Sequence, residues 1–217
     1  MTSEFESRLT DRARRAGLSL PSEFSVRAER FYNLLKKWNA TTNLTALELD
    51  GCPDASLDRL FIEPLLAGAL VSNDPALLCV DIGSGGGSPA IPFALTHPLV
   101  RMLMVESVGK KAAFLREAVR VVGLQRTEVN HARFEDLASE LTHTIDLVLI
   151  RGVKITKGLS KALQSGLKQD GRLFAFGASG DIAEFNWRQT DERQLSLERT
   201  DENTLQIYRV DRNNLHP

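Results

Sequence analysis

The run Leu77-Leu78-Cys79-Val80-Asp81-Ile82-Gly83-Ser84-Gly85-Gly86-Gly87 constrains this chain more than any other stretch. A short apolar segment that stops at a glycine cluster reads as a buried parallel strand feeding a tight turn. Residues 88 to 96 then read as a helix. Strand, glycine turn and helix in that order make a ligand-binding crossover. Glycines tolerate unusual backbone angles and let a ligand approach the main chain, and the helix that follows offers free N–H groups.

Dinucleotides and S-adenosylmethionine both use such turns. A dinucleotide site wants Gly or Ala where the helix packs on the strand, and Ser88 stands there. Asp81 precedes the glycines, and its charge would repel a pyrophosphate. S-adenosylmethionine has no phosphate and carries an ammonium and a sulfonium, so the acid suits it. Glu106 ends the next strand, roughly 20 residues further on, where a carboxylate can accept bonds from ribose hydroxyls. The expected cofactor is therefore S-adenosylmethionine, with Asp81, Gly83, Ser84, Gly85 and Glu106 around it.

The rest of the chain alternates. Strands are expected at Arg101 to Glu106, Thr127 to Asn130, Asp146 to Ile150 and Gly171 to Phe176, and helices at 109–122 and 157–168. Ala113, Leu115, Ala118, Val119 and Val122 are expected on the buried side of the first of these helices. Segments near 193–199 and 204–210 read as an antiparallel pair at the sheet edge. This order argues for an α/β sheet with helices on both faces. Residues 4 to 47 read as helical, with a start at Pro21-Ser22-Glu23 and Phe24, Phe31, Leu34, Leu35 and Trp38 at helical spacing. Residues 56 to 71 read as a helical stretch interrupted near Pro64. The 217 residues divide into a helical cap, 1–66, and a cofactor-binding domain, 67–217.

Net charge is −1, so contact with nucleic acid must rest on local patches. Lys110, Lys111, Arg116 and Arg120 oppose a single acid, Glu117. Arg151, Lys154, Lys157, Lys161, Lys168 and Arg172 oppose Asp170 alone. Both runs begin at strand ends, where the first residues can meet phosphates, whereas Lys161 and Lys168 read as a solvated helix face. Trp38 reads as packing between cap and sheet, and the four histidines as surface or satisfied groups. The two cysteines form no metal or disulfide pattern, so no metal is expected. No membrane span or signal peptide is read, and a cytoplasmic monomer is expected.

Several segments together resemble the GidB/RsmG family, the 16S ribosomal RNA guanine-N7 methyltransferases. Lys37-Trp38-Asn39-Ala40-Thr41-Thr42-Asn43-Leu44-Thr45 is similar to the family's KWN…NLT stretch, and Asp81 to Pro92 to its DxGxGxGxPGIP. Glu106 to Lys111, Phe114-Leu115-Arg116, Arg133-Phe134-Glu135 and Arg151 match later segments. Leu60, Pro64, Ala90 and Gly152 stand where the family has His, Ser, Gly and Ala.

The resemblance covers roughly residues 18 to 177 and implies a class I S-adenosylmethionine-dependent methyltransferase. Such a fold is Rossmann-like, with a mostly parallel sheet, an antiparallel edge and here a helical cap. It implies cofactor contacts at Gly83, Ser88, Phe134, Glu135 and Arg151. With the basic runs, it implies RNA contacts at Lys110, Arg116, Arg133 and Lys154, and positioning by Arg151 and Lys110. The implied partner is ribosomal RNA or the small ribosomal subunit. A methyltransferase of another, small-molecule acceptor and a non-catalytic cofactor-binding RNA partner remain open alternatives at this point.

Overall fold

A computed structural model describes residues 2–177, 182–195 and 203–211. Helix α1 (Glu4–Arg15) starts at a reciprocal cap: Glu6 N donates to Ser3 Oγ and Ser3 N donates to Glu6 Oε2. Its buried residues Phe5, Leu9 and Ala13 recur every four positions and so share one stripe. The helical path is interrupted at residues 16–23, which contain Gly17 and Pro21, so the second helix starts just after Pro21-Ser22-Glu23, as expected, but ends at Thr42 rather than 47. Helix α2 (Phe24–Thr42) buries Phe24, Ala28, Phe31 and Leu35 on one face. Phe5, Phe31 and Tyr32 stack around Phe61, with ring centroids 5.6, 6.0 and 6.4 Å from it.

Residues 54–68 run helical without interruption, as α3 (Asp54–Leu57), a π-turn (Asp58–Ile62) and α4 (Glu63–Gly68). Pro64 does not break the chain as expected, because the wider π-turn precedes it and Pro64 falls in the first turn of α4.

Seven strands follow: β1 (Leu78–Ile82), β2 (Arg101–Val105), β3 (Thr127–Asn130), β4 (Ile145–Arg151), β5 (Leu167–Phe176), β6 (Trp187–Gln194) and β7 (Thr204–Val210). Their order is β3-β2-β1-β4-β5-β7-β6, parallel through β5, with β7 antiparallel to both its neighbours. Helices α5 (Ala90–Thr96), α6 (Gly109–Val122), α7 (Phe134–Leu137) and α8 (Lys157–Gly166) and a short 3-10 turn (Ile182–Phe185) complete the elements among the described residues. Cys79, Met102, Met104, Leu147, Leu149 and Phe174 share one hydrophobic core with the aromatic residues of α1 and α2. Val80, Ile82, Val148, Ile150 and Leu173 pack on the other face against α8, through Leu159 and Leu163.

Two details differ from the sequence reading. On α6 the buried residues are Ala112, Phe114, Leu115, Ala118 and Val122, and Ala113 is exposed. Two residues from Leu115 means about 200° around a helix, which turns Ala113 away from the sheet. Strand β6 lies at Trp187–Gln194 rather than 193–199, anchored by Trp187, whose Nε1 donates to Ser160 Oγ at 2.8 Å. Positions 196–199 fall outside the described residues.

Cap and sheet are joined by polar bonds as well as by core. Arg27 of α2 donates to the carbonyls of Val122 and Gly123, at 2.8 and 3.0 Å, and so closes the C-terminal end of α6. Trp38 packs on Phe114, ring centroids 5.9 Å apart, and donates to Glu117 Oε2 at 3.0 Å.

Candidate active site

Strands β1, β2 and β4 end level, with Ile82 in register with Val105 and Ile150. The sheet order reverses at β1, which has β2 on one side and β4 on the other. Open α/β sheets bind ligands in the crevice beyond such a reversal. Gly83 N and Ser84 N both donate to Val105 O, at 2.8 and 3.2 Å, and pin the glycine turn to the end of β2. The buried carboxylate of Glu106 braces the turn from below, accepting from Gly85 N at 2.9 Å and Val108 N at 2.8 Å.

Gly83 holds φ +67°, and a Cβ there would stand 2.7 Å from Val153 Cγ2. The position therefore requires glycine on both backbone and spatial grounds. At Gly86 a Cβ would lie 3.1 Å from Leu44 O, so the loop after α2 closes on the turn. Asn39 shapes that loop. Its Oδ1 accepts from Leu44 N and Thr45 N at 2.7 and 2.9 Å, and its Nδ2 donates to Thr45 O at 3.1 Å.

Two cavities meet at Gly83. The first, about 400 Å³, lies between the cap and the turn, bordered by Leu44 to Leu47, Arg59, Leu60, Ser84 to Gly86, Ser88, Lys111, Arg151 and Gly152. The second, about 260 Å³, has an apolar floor of Ile82, Val105, Phe134 and Leu159, with Arg133, Glu135 and Lys154 around it.

Arg151 sits at the junction of cap and sheet. Its Nη1 donates to Arg59 O at 2.6 Å and Ser88 Oγ at 3.1 Å, and its Nη2 to Glu63 Oε2 at 2.7 Å. The guanidinium carbon lies 4.5 Å from the centroid of the Phe176 ring. Glu63 is only 2% exposed and also pairs with Arg59 at 3.1 Å. Burial raises the Glu63 pKa against the pull of Arg151 and Arg59, and burial lowers that of Arg151 to about 10. Arg151 therefore keeps its charge at neutral pH.

Asp81 faces the same side of the sheet, paired in register with Leu149, two residues before Arg151. Burial raises its carboxyl from the ordinary aspartate value to about 7, with Ser84 and Arg151 pulling the other way. Ser84 Oγ donates to the Asp81 carbonyl at 3.1 Å. Asp81 Oδ2 and Arg151 Nε are the two buried side-chain polar atoms without a hydrogen-bond partner among the described residues.

The expected site residues fall into three places. Gly83, Ser84, Gly85, Ser88 and Arg151 border the first cavity. Arg133, Phe134, Glu135 and Lys154 border the second. Asp81 and Glu106 lie buried behind the turn. Lys110 and Arg116 are exposed on α6 and border neither cavity, whereas Lys111 borders the first. His131 is exposed and bonded to Ser107 O at 3.1 Å, and Lys168 pairs with Asp146 at 2.8 Å. Sequence reasoning missed Glu63, Arg59 and Asn39 as site-forming groups. Asn39 stands inside a segment that resembles the family, and Arg59 and Glu63 neighbour the departures Leu60 and Pro64, but nothing local marks what their side chains reach.

The family described as GidB, rRNA small subunit methyltransferase G, matches residues 25–214. The chain belongs to this family. A relative named ribosomal RNA small subunit methyltransferase G from Geobacter sulfurreducens is 34% identical over 176 residues, covering 81% of this chain and 79% of that protein. Another of the same name, from a Roseiflexus species, is 34% identical over 178 residues, covering 81% and 74%. Among solved structures, an S-adenosylmethionine-dependent methyltransferase from Aquifex aeolicus superposes with a TM-score of 0.56 at 11% identity, covering 80% of this chain and 96% of that one. The fold is thus the class I methyltransferase fold, and this family member is an S-adenosylmethionine-dependent rRNA methyltransferase.

Proposed function

We propose that the chain methylates N7 of a guanine in small-subunit ribosomal RNA, with the acceptor base entering the first cavity. The observation that carries this reading is the lining of that cavity. It presents Arg59, Lys111 and Arg151, and among its bordering residues there is no histidine or carboxylate. Three cations suit a polyanion. The lack of a general base suits guanine N7, which attacks through a lone pair and loses no proton.

The buried atoms fit the cofactor. Its methionine end carries an ammonium and a carboxylate, which match the two orphaned groups: Asp81 Oδ2 accepts and Arg151 Nε donates. Its adenosine suits the second cavity, with the apolar floor under the base and Glu135 beside it, while Glu106 holds the glycine turn from behind. When bound, S-adenosylmethionine supplies a methyl group on a sulfonium carbon open to in-line displacement. The chain's own task is to orient and to exclude water. Gly83 and the rest of the glycine turn set the approach distance, the cap loop at Leu44 to Leu47 covers the turn, and Arg151 and Ser88 fix the cap to it. Lys110, Arg116, Arg133 and Lys154, with Lys111, would meet RNA phosphates. Residues 1–66 act as the cap over 67–217 in a cytoplasmic monomer. Among the described residues, no helix is long and apolar enough to cross a membrane.

Cofactor affinity should depend on pH through Asp81. With a carboxyl that ionises at about 7, the group is mostly neutral at pH 6 and cannot pair with the cofactor ammonium. Affinity therefore rises with pH and levels off above 7. The dissociation constant at pH 6 should exceed that at pH 7.5 by roughly tenfold, since one unit below the pKa leaves about a tenth of the group ionised. Calorimetry on Asp81→Asn should give weaker binding and no such slope. A slope of the same size in the variant would remove Asp81 from the explanation.

The reaction itself is read on rRNA from a strain lacking the gene. Nucleoside mass analysis should show one N7-methylguanosine fewer in small-subunit rRNA. An unchanged level would reject the proposal.

A further inference from the structure

The π-turn before α4 does more than accommodate a proline. In it, Glu63 N donates to Asp58 O, five residues back, instead of to Arg59 O, four back. Pro64 has no N–H, so it can offer nothing to Leu60 O, four back, or to Arg59 O, five back. Arg59 O thereby loses both donors that helical geometry offers it, and Leu60 O loses the one four residues on. Both carbonyls are used by the site: Arg59 O accepts from Arg151 Nη1 at 2.6 Å, and Leu60 O accepts from Ser88 Oγ at 2.9 Å. Ser88 Oγ in turn accepts from Arg151 Nη1 at 3.1 Å, which closes the set.

We infer that Pro64 and the π-turn it follows are positioning elements for Arg151, releasing two backbone carbonyls that lock the guanidinium and the Ser88 hydroxyl in place. The inference rests on the reading that Arg151 borders the cofactor site. With Nη1 and Nη2 committed, and the guanidinium over Phe176, Nε is left without a partner in the buried site. That is the donor assigned above to the cofactor carboxylate. Buried polar groups are otherwise almost always paired, so a scaffold that leaves one donor open is selecting for a ligand acceptor. Pro64 stands where the resembling family carries Ser, whose backbone N–H would be free to reclaim a carbonyl.

The test is Pro64→Ala, measured against Arg151→Ala and Ser88→Ala. Alanine restores an N–H at position 64 that donates to Leu60 O and competes with Ser88. A proline that only shapes the helix predicts a thermal midpoint that moves and a cofactor affinity that does not. The positioning role predicts the reverse: a midpoint equal to or above the original, because a helical bond is gained, and a cofactor dissociation constant about tenfold weaker. It also predicts that Pro64→Ala and Ser88→Ala are non-additive, since both act on the Leu60 carbonyl. Additive effects, or a Pro64→Ala variant binding as the parent does while Arg151→Ala loses binding, would overturn the inference and leave the site reading standing. An Arg151→Ala variant that binds the cofactor normally would instead overturn the site reading, and this inference with it. If Pro64→Ala does not fold, the proline is needed for the helix itself, which also overturns the inference.

Discussion

Gly83→Arg should abolish S-adenosylmethionine binding while leaving a folded chain. Gly83 borders both cavities, so a side chain there enters the space that the proposed site places between the two ends of the cofactor. Even the first atom of that side chain would stand 2.7 Å from Val153 Cγ2. The backbone at φ +67° adds about 1–2 kcal/mol for any residue with a Cβ. That strain lowers the thermal midpoint by roughly 2–8 °C in a chain of this size. The loss of affinity should be at least about 100-fold, because no rotamer of arginine vacates the junction. Gly51→Ala is the control for strain alone. Gly51 has the same φ, +67°, and open space around its would-be Cβ. It should lose similar stability and bind the cofactor as the parent does. Calorimetry and thermal melts on the pair separate blockage from strain, and an arginine variant that still binds would move the site elsewhere.

Arg151→Ala should be costly in two ways that can be pulled apart. Removing the guanidinium leaves Glu63, 2% exposed, with Arg59 as its remaining cation. Breaking a buried pair from one side costs about 3–5 kcal/mol, and Arg59 holds this case toward the lower end. The midpoint should fall by about 10 °C. Cofactor affinity should fall at least about tenfold with the loss of the Nε donor. Adding Glu63→Gln to Arg151→Ala removes the stranded charge, so the midpoint should recover most of its loss while affinity stays low. Recovery of both together would mean that Arg151 serves the fold and not the ligand.

Much of the fold was legible because its signals are local. β1 ends at the glycine turn, β3 spans Thr127–Asn130 and α6 spans Gly109–Val122, as periodicity and glycine placement indicate. β6 was misplaced because its outer positions are polar and only Trp187 and the half-buried Asp191 are withdrawn from solvent, so no alternation marks it. The site was legible in halves. The glycines, Asp81 and Glu106 follow one another within one crossover and can be read together. The Arg151–Glu63 pair joins residues 88 positions apart, and nothing near either one announces the other. Pro64 misled for a related reason: a proline in a helical pattern reads as a break, and only the three-dimensional partners of Arg59 O and Leu60 O show what the missing N–H permits. Asp81 was expected beside the cofactor ammonium from its place before the glycines, but its burial, and so its titration near neutrality, comes from the cap packed over that face of the sheet.

The proposed reaction is transfer of a methyl group to guanine N7 of small-subunit rRNA. It is tested most directly by incubating the purified chain with labelled S-adenosylmethionine and with either naked small-subunit rRNA or 30S particles from a strain lacking the gene. The product is then mapped by borohydride–aniline cleavage, which cuts at N7-methylguanosine. Label should enter one of these substrates, with cleavage at a single new guanine, and both should be lost with Gly83→Arg. Label that survives nucleoside analysis as any other methylated base, or no label in either substrate from a chain that binds the cofactor, would contradict it.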